Sequence, residues 1–223
     1  MKKIDVSKAT RVNYELPSKG RTLEYNGIYV TPKRLVNGNS KLVNILIFDL
    51  TAIASCLNCA SCKATCYAVK AERQYVDTKI FRDTNLSMAK NDLYTLKLLI
   101  VKQLNNTKVT SVRIHSSGDF FSQYYIDFWS EIIALYPNIQ FYAYTKVGKL
   151  LNFTQIETNK NFNLINSLIE NKVLNYGSLD YCNELNKTYD TFICPATKKR
   201  SEVKCGKDCF YCITKKNVCF IQH

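Results

Sequence analysis

The sequence predicts an α/β fold: a mostly parallel sheet or partial βα barrel with a cysteine-rich C-terminal lobe. Three observations predict it. Short branched apolar runs alternate with stretches of helical periodicity, the pattern of parallel strands joined by right-handed crossovers. Hydrophobic residues make up 46% and charged residues 22% of the 223, the balance of a globular chain and not a disordered one. Six of the ten cysteines fall after residue 180.

Residues 1–42 are polar and turn-rich, with Gly20, Gly27, Pro32 and Gly38, and read as an irregular or hairpin-bearing leader packed on the core. An α/β core is expected over 43–180 and the cysteine-rich lobe over 181–223. Val43 to Leu50 (VNILIFDL) is a short run of branched residues bounded by polar ones, a buried strand. A long helix is predicted from Lys79 to Leu104, where Ala89, Leu93, Leu96, Ile100 and Leu104 recur at helical spacing. Val109 to His115 reads as a strand and Ser116 to Asp119 as a turn. Ser122 is placed to cap a helix that carries Tyr125, Phe128, Trp129, Ile132, Ile133 and Tyr136 on one face, and Pro137 stops it. Ile139 to Thr145 is a third strand. A helix over Phe162 to Glu170 and strands near Val173 to Tyr176 and Thr191 to Ile193 complete the prediction. In such folds the sites gather where strands end at their carboxyl side. Cys56 to Cys66, His115 to Asp119 and Thr145 all follow strand ends, so they are expected to share one face.

The net charge is +13, a field that attracts polyanions, and nucleic acid is a possible partner. Yet the basic residues are 24 Lys against 7 Arg beside 21 Asn, the bias of an AT-rich genome, and only Lys198 to Arg200 form a run. The first residues lack the apolar stretch of a signal peptide, and no apolar run approaches the ~20 residues of a membrane span. A reducing compartment and no membrane partner are expected, and there clustered cysteines bind metal more often than they form disulfides.

The first cysteine group is Cys56-x2-Cys59-x2-Cys62-x3-Cys66, the spacing of bacterial-type ferredoxin clusters. Two-residue gaps let a turning backbone aim successive sulfurs at one cluster. In ferredoxins, however, the fourth cysteine serves another cluster and precedes Pro, whereas Tyr67 follows here. The second group is drawn from Cys194, Cys205, Cys209 and Cys212, with Cys182 and Cys219 as spare buried thiols or substitute ligands. The expected cofactors are one or two [4Fe–4S] clusters, with zinc on the same thiolates as the alternative. A zinc ribbon built from Cys59, Cys62, Cys209 and Cys212 would need a gap far longer than ribbons have.

Arg113, His115 and Asp119 are the candidate catalytic residues: a strand delivers His, a tight Gly turn follows, and an acid closes it. Strand alternation sets Arg113 and His115 on one side. The opposing reading makes His115 a satisfied core residue, with Ser116 and Asp119 capping the next helix.

The chain resembles the phage gene-product-88 family. The likeness rests on Gly38 to Leu42, on Cys62-Lys63-Ala64-Thr65-Cys66-Tyr67-Ala68 with Lys70, and on Arg82 and Asn85. It continues through Arg113 to Phe120, Trp129, Tyr144-Thr145, Cys194-Pro195-Ala196, Cys205, Cys209-x2-Cys212 and Phe220 to His223. The resemblance implies a viral protein working in a host cytoplasm and supplies no reaction. A weaker likeness is to radical S-adenosylmethionine enzymes, in which a cysteine loop follows the first strand of a partial barrel. By that likeness Ser116, Ser117 and Gly118 would contact the cofactor, and S-adenosylmethionine is a possible ligand. The C-x3-C-x2-C spacing of those enzymes is not present here. Three functions compete: a redox iron–sulfur protein with a small-molecule or electron-transfer partner; a metal-stapled nucleic-acid-binding protein without enzymatic activity, which fifteen Tyr and the charge favour; and a structural or host-interaction protein in which metal merely folds the chain.

Overall fold

The structure, a computed structural model, describes residues 23–25, 28–30, 33–59, 62–166, 176–177, 180, 182–184, 187, 192–197, 202–214 and 218–221. Leu23–Tyr25 (β1) and Ile28–Val30 (β2) pair as an antiparallel hairpin. Val36–Asn37 (β3) runs antiparallel to Ile45–Phe48 (β4) at the edge of the main sheet. Ser111–Ile114 (β5), Gln140–Thr145 (β6) and Phe162–Asn166 (β7) then add in parallel. The sheet order is β3-β4-β5-β6-β7.

The crossovers carry the helices: Tyr67–Gln74 (α1), Val76–Asn91 (α2) and Leu93–Asn105 (α3) after β4, Gln123–Leu135 (α4) after β5, and Thr154–Glu157 (α5) after β6. Strand alternation sorts the side chains. Leu46, Phe48, Val112, Ile114, Phe141, Ala143 and Leu164 join the main core with Leu86, Leu96, Ile100, Ile126, Trp129, Ile133 and Ile156 of the helices. Ile45, Ile47 and Tyr142 face the other way, onto Ile213 of Tyr211–Thr214 (α6). Parallel strands in chain order with helices on one face are the winding of a βα barrel left open. The predicted α/β class with a mostly parallel sheet is what the chain adopts.

The face opposite the crossover helices is covered by α6 and the rest of the second cysteine segment. Leu42 bridges Cys205, the Val43 amide donates to the Cys205 carbonyl at 2.8 Å, and the Cys205 amide donates to Lys41 at 2.8 Å. Tyr176–Gly177 (β8), Phe192–Ile193 (β9) and Val218–Ile221 (β10) form a small parallel sheet in the order β8-β10-β9.

Several expectations need correction. The long helix is two, because Asp92 breaks it: its backbone leaves the helical region and its carboxylate accepts the Thr95 amide at 3.1 Å as the cap of α3. Helix α1 was not anticipated. Phe162 to Asn166 is a strand and not a helix. Leu164 enters the core while Asn163 turns to the opposite face and donates to the Cys212 carbonyl at 3.0 Å, a period of two. The rest of that predicted helix, 167–170, lies outside the described residues, as do 173–175 and 191 of the two short strands. Ser122 stands at the start of α4, but its hydroxyl makes no capping bond. Among the described residues no helix is long and apolar enough to cross a membrane.

Candidate functional site

Three strand ends meet at one cavity of about 160 Å³. It is lined by Cys56, Cys62 and Cys66 from the loop after β4, by Arg113 and residues 115–119 at the end of β5, and by Tyr144 to Lys146 at the end of β6. The expectation that these segments share one face is met. Cys59 does not line the cavity; its carbonyl instead accepts the Cys62 and Lys63 amides at 3.1 and 2.9 Å, turning the loop.

Asp49 fixes the β5 turn, and no motif in the sequence pointed to it. One carboxylate oxygen accepts the Ser116 and Ser117 amides at 2.7 and 2.8 Å; the other accepts the Ser116 hydroxyl at 2.8 Å and Arg82 Nη2 at 2.9 Å. Arg82 also reaches Glu72 at 3.3 Å and the Ala68 carbonyl at 3.2 Å, and Glu72 accepts the Ala52 amide at 2.8 Å. This buried acid–base–acid group ties α1 and α2 to the cysteine loop and the turn. The Ser117 hydroxyl donates to the Leu50 carbonyl at 2.9 Å, and the Tyr67 hydroxyl donates to the Ser116 carbonyl. Both serine hydroxyls expected to touch a cofactor are therefore engaged in holding the turn. Gly118 (φ +86°) is required there, since a Cβ would lie 2.5 Å from Ser55 Oγ and 2.7 Å from Leu50 Cβ. The signal that could have found Asp49 is its place, an acid ending an apolar strand just ahead of the cysteine loop.

Asp119 spans the gap between strands. It accepts the Phe120 amide at 2.7 Å, the Thr145 hydroxyl at 2.8 Å and the Lys146 amide at 2.8 Å, and it caps no helix. Burial pushes its carboxyl up to about 6, against the pull of these hydrogen bonds. Arg113 lies half-buried over the Tyr144 ring, 5.0 Å from its centroid.

His115 does not share a side with Arg113. Its backbone is left-handed (φ 66°), which breaks the strand alternation and turns the ring into the helix-side core. There it is 3% exposed, its Nε2 lies 2.9 Å from the Tyr125 hydroxyl, and it meets Phe120 edge-on with ring centroids 4.9 Å apart. Among the described residues Nδ1 has no hydrogen-bond partner. Burial, and secondarily Arg113, pull the imidazole down to about 3, so it stays neutral at physiological pH. A His depressed below its unfolded 6.5 stabilises the fold above that pH, and the contribution is lost as pH falls toward 3. Asp119, raised from 3.8 to about 6, acts oppositely and weakens the fold as pH rises through that window. Urea midpoints of the wild type and His115→Asn at pH 7 and pH 4 check this: the variant is expected to lose much less on acidification.

None of the eight cysteines proposed as ligands is disulfide-bonded, whereas Cys182 and Cys219 are bonded to each other with Cα atoms 5.7 Å apart. The two are therefore neither spare thiols nor substitute ligands, because each has the other within disulfide reach. Burial pushes the Cys56 and Cys205 thiols up to about 11 and that of Cys212 to about 12. Cys194 and Cys209 add to the last two shifts, and Cys205 adds to that of Cys212. Among the described residues no three His, Cys, Asp or Glu side chains converge on one metal-ion position.

A family model described as gene product 88 matches residues 11–217. The chain belongs to that family. This gene product 88 family member is 35% identical over 97 residues to the gene 88 protein of Mycobacterium phage L5, covering 40% of this chain and 41% of the relative. It is 34% identical over 97 residues to the gene 88 protein of Mycobacterium phage D29, covering 40% of each. The match thus spans about two fifths of these relatives' length. No solved structure matches the chain.

Proposed function

We propose that this family member is a redox iron–sulfur protein. Cys56, Cys62 and Cys66 would hold a [4Fe–4S] cluster at the cavity, and Cys194, Cys205, Cys209 and Cys212 a second. The observation that carries the reading is the cavity itself: three of the four clustered thiols line it together with Arg113, Asp119 and Thr145. The donor chemistry is that of the group, clustered thiolates, while among the described residues no three of them converge on a single metal-ion position. Held by three thiolates, a cluster supplies one-electron chemistry and leaves an iron open to a small ligand. Asp119, ionised above about pH 6, favours a cationic amine on that ligand, and S-adenosylmethionine is one of this class. The reading places the protein in the host cytoplasm, which keeps the thiols of the two groups reduced, while the fully buried Cys182–Cys219 bond is shielded from that reductant.

The test is purification without oxygen, with iron, sulfide and zinc counted beside the visible spectrum. The expected protein is brown, with iron and sulfide in equal amounts. Cys62→Ala is expected to lose about half the iron and Cys59→Ala to keep it. A colourless protein carrying zinc sinks the redox reading. Binding to single-stranded nucleic acid that weakens steeply with salt would then support the stapled, non-enzymatic reading, in keeping with the +13 charge.

A further inference from the structure

Two arginines stand near the cysteine loop, and the chain treats them differently. Arg82 lies between Asp49 and Glu72, at 2.9 and 3.3 Å. Arg113 lines the cavity and, among the described residues, makes no ion pair. Its Nε donates to the His115 carbonyl at 3.4 Å, and its guanidinium lies 5.0 Å from the centroid of the Tyr144 ring. These contacts hold the side chain but bring no negative charge to it, and among the described residues neither Nη group has an acceptor. Register fixes the place: Ile47, Arg113 and Tyr142 stand in one row across β4, β5 and β6, and Tyr144 lies two residues further along on the same face. Asn58 closes the wall nearby, donating to the Lys146 carbonyl at 3.1 Å and tying the cysteine loop to the end of β6. Asp119, the acid of the same wall, already has three donors from the chain. A guanidinium drawn out of water costs free energy unless an anion meets it. The chain supplies that anion at Arg82 and not at Arg113.

We propose that Arg113 is the binding residue for a small monocarboxylate, gripped in the cavity by the two Nη groups of its guanidinium. That planar fork matches the two oxygens of a carboxylate, one hydrogen bond to each. The Tyr144 ring limits the swing of the guanidinium, so the fork is set before the ligand arrives. Size narrows the ligand. The cavity, about 160 Å³, is near the ~150 Å³ that takes up one benzene, which suits a small molecule and not a nucleic-acid strand. Charge narrows it further, because Asp119 in the same wall repels a dianion about twice as strongly as a monoanion and so favours a carboxylate over a phosphate. Ala52, Ala68 and the Tyr144 ring, also in the wall, give apolar surface for a short hydrocarbon tail. The inference stands apart from the iron–sulfur reading, since it uses only side chains of the cavity and no metal.

The test is isothermal titration calorimetry of the full chain at pH 7 with butyrate, butyramide and inorganic phosphate, with iron counted in the same sample. Butyrate and butyramide share size and shape and differ in charge. The wild type is expected to bind butyrate about 10- to 100-fold more tightly than butyramide, the worth of a hydrogen bond to a charged group, and more tightly than phosphate. Arg113→Met is expected to abolish that preference. Arg113→Lys, which keeps the charge without the fork, is expected to recover part of it. Thermal unfolding identifies a variant that has not folded, and the comparison of probes on the wild type needs no variant. Equal binding of butyrate and butyramide, or binding of neither, overturns the inference, as does phosphate bound more tightly than butyrate. A wild type that prefers butyrate and carries no iron leaves the inference standing and sinks the iron–sulfur reading. An iron-loaded wild type that ignores butyrate does the reverse.

Discussion

Arg82→Met is expected to destabilise the protein by about 3–5 kcal/mol, the range for removing one partner from a buried charge group. Arg82 lies 2.9 Å from Asp49 and 3.3 Å from Glu72, and all three side chains are at least nine-tenths buried. Without the guanidinium, two carboxylates remain in a site with little water, and among the described residues neither makes another ion pair. The consequence is local as well as global. Asp49 is the residue that closes the Ser116–Ser117 turn, and Glu72 holds the loop at Ala52 ahead of the cysteines. Urea denaturation at pH 7 gives the loss. The triple replacement Arg82→Met, Glu72→Gln, Asp49→Asn is expected to recover more than half of it, since an amide oxygen at 49 can still accept the two serine amides. A loss below about 1 kcal/mol for Arg82→Met alone would mean that the triad does not support the site.

What the sequence revealed was local in the chain. Strands β4, β5 and β6 are runs of branched and aromatic residues, and the first cysteine group lies within eleven residues, so both could be seen without knowing the fold. Strand β7 was misread because Phe162, Ile165, Leu168 and Ile169 fall at helical spacing, while its pairing with β6 is a tertiary fact. The site was partly legible: the cysteine loop and the β5 turn were singled out, and the cavity brings them together. What was hidden depends on distant pairs. Asp49 meets Ser116 across 67 residues, and nothing in either segment names the other. His115 changed face through one left-handed φ, which a His seldom adopts and a sequence pattern does not encode. The second cysteine group offered six candidates, and only the fold shows Cys182 and Cys219 together and the other four elsewhere.

Gly206→Ala is expected to cost about 2–5 kcal/mol, from left-handed strain of roughly 1–2 and overpacking of about 1–3. Gly206 has φ +78°, and a Cβ there would lie 2.0 Å from the Val43 carbonyl oxygen and 2.8 and 2.9 Å from Ile45 side-chain carbons. The obstacle is the backbone and first core residue of the sheet, so no flexible tip can yield. The segment must lift away instead, and with it go the two hydrogen bonds that seat Cys205 on residues 41–43. Cys205, Cys209 and Cys212 sit on or beside that turn, whereas Cys56, Cys62 and Cys66 hang from a different loop. The variant is therefore expected to lose the metal of the second group, about half the total on the iron–sulfur reading, and to keep that of the first. Thermal denaturation and metal analysis of Gly206→Ala beside Lys207→Ala, an exposed neighbour, separate a packing effect from a general one. If the two variants are equally stable and equally loaded, the close seat of the second cysteine segment on the sheet is wrong.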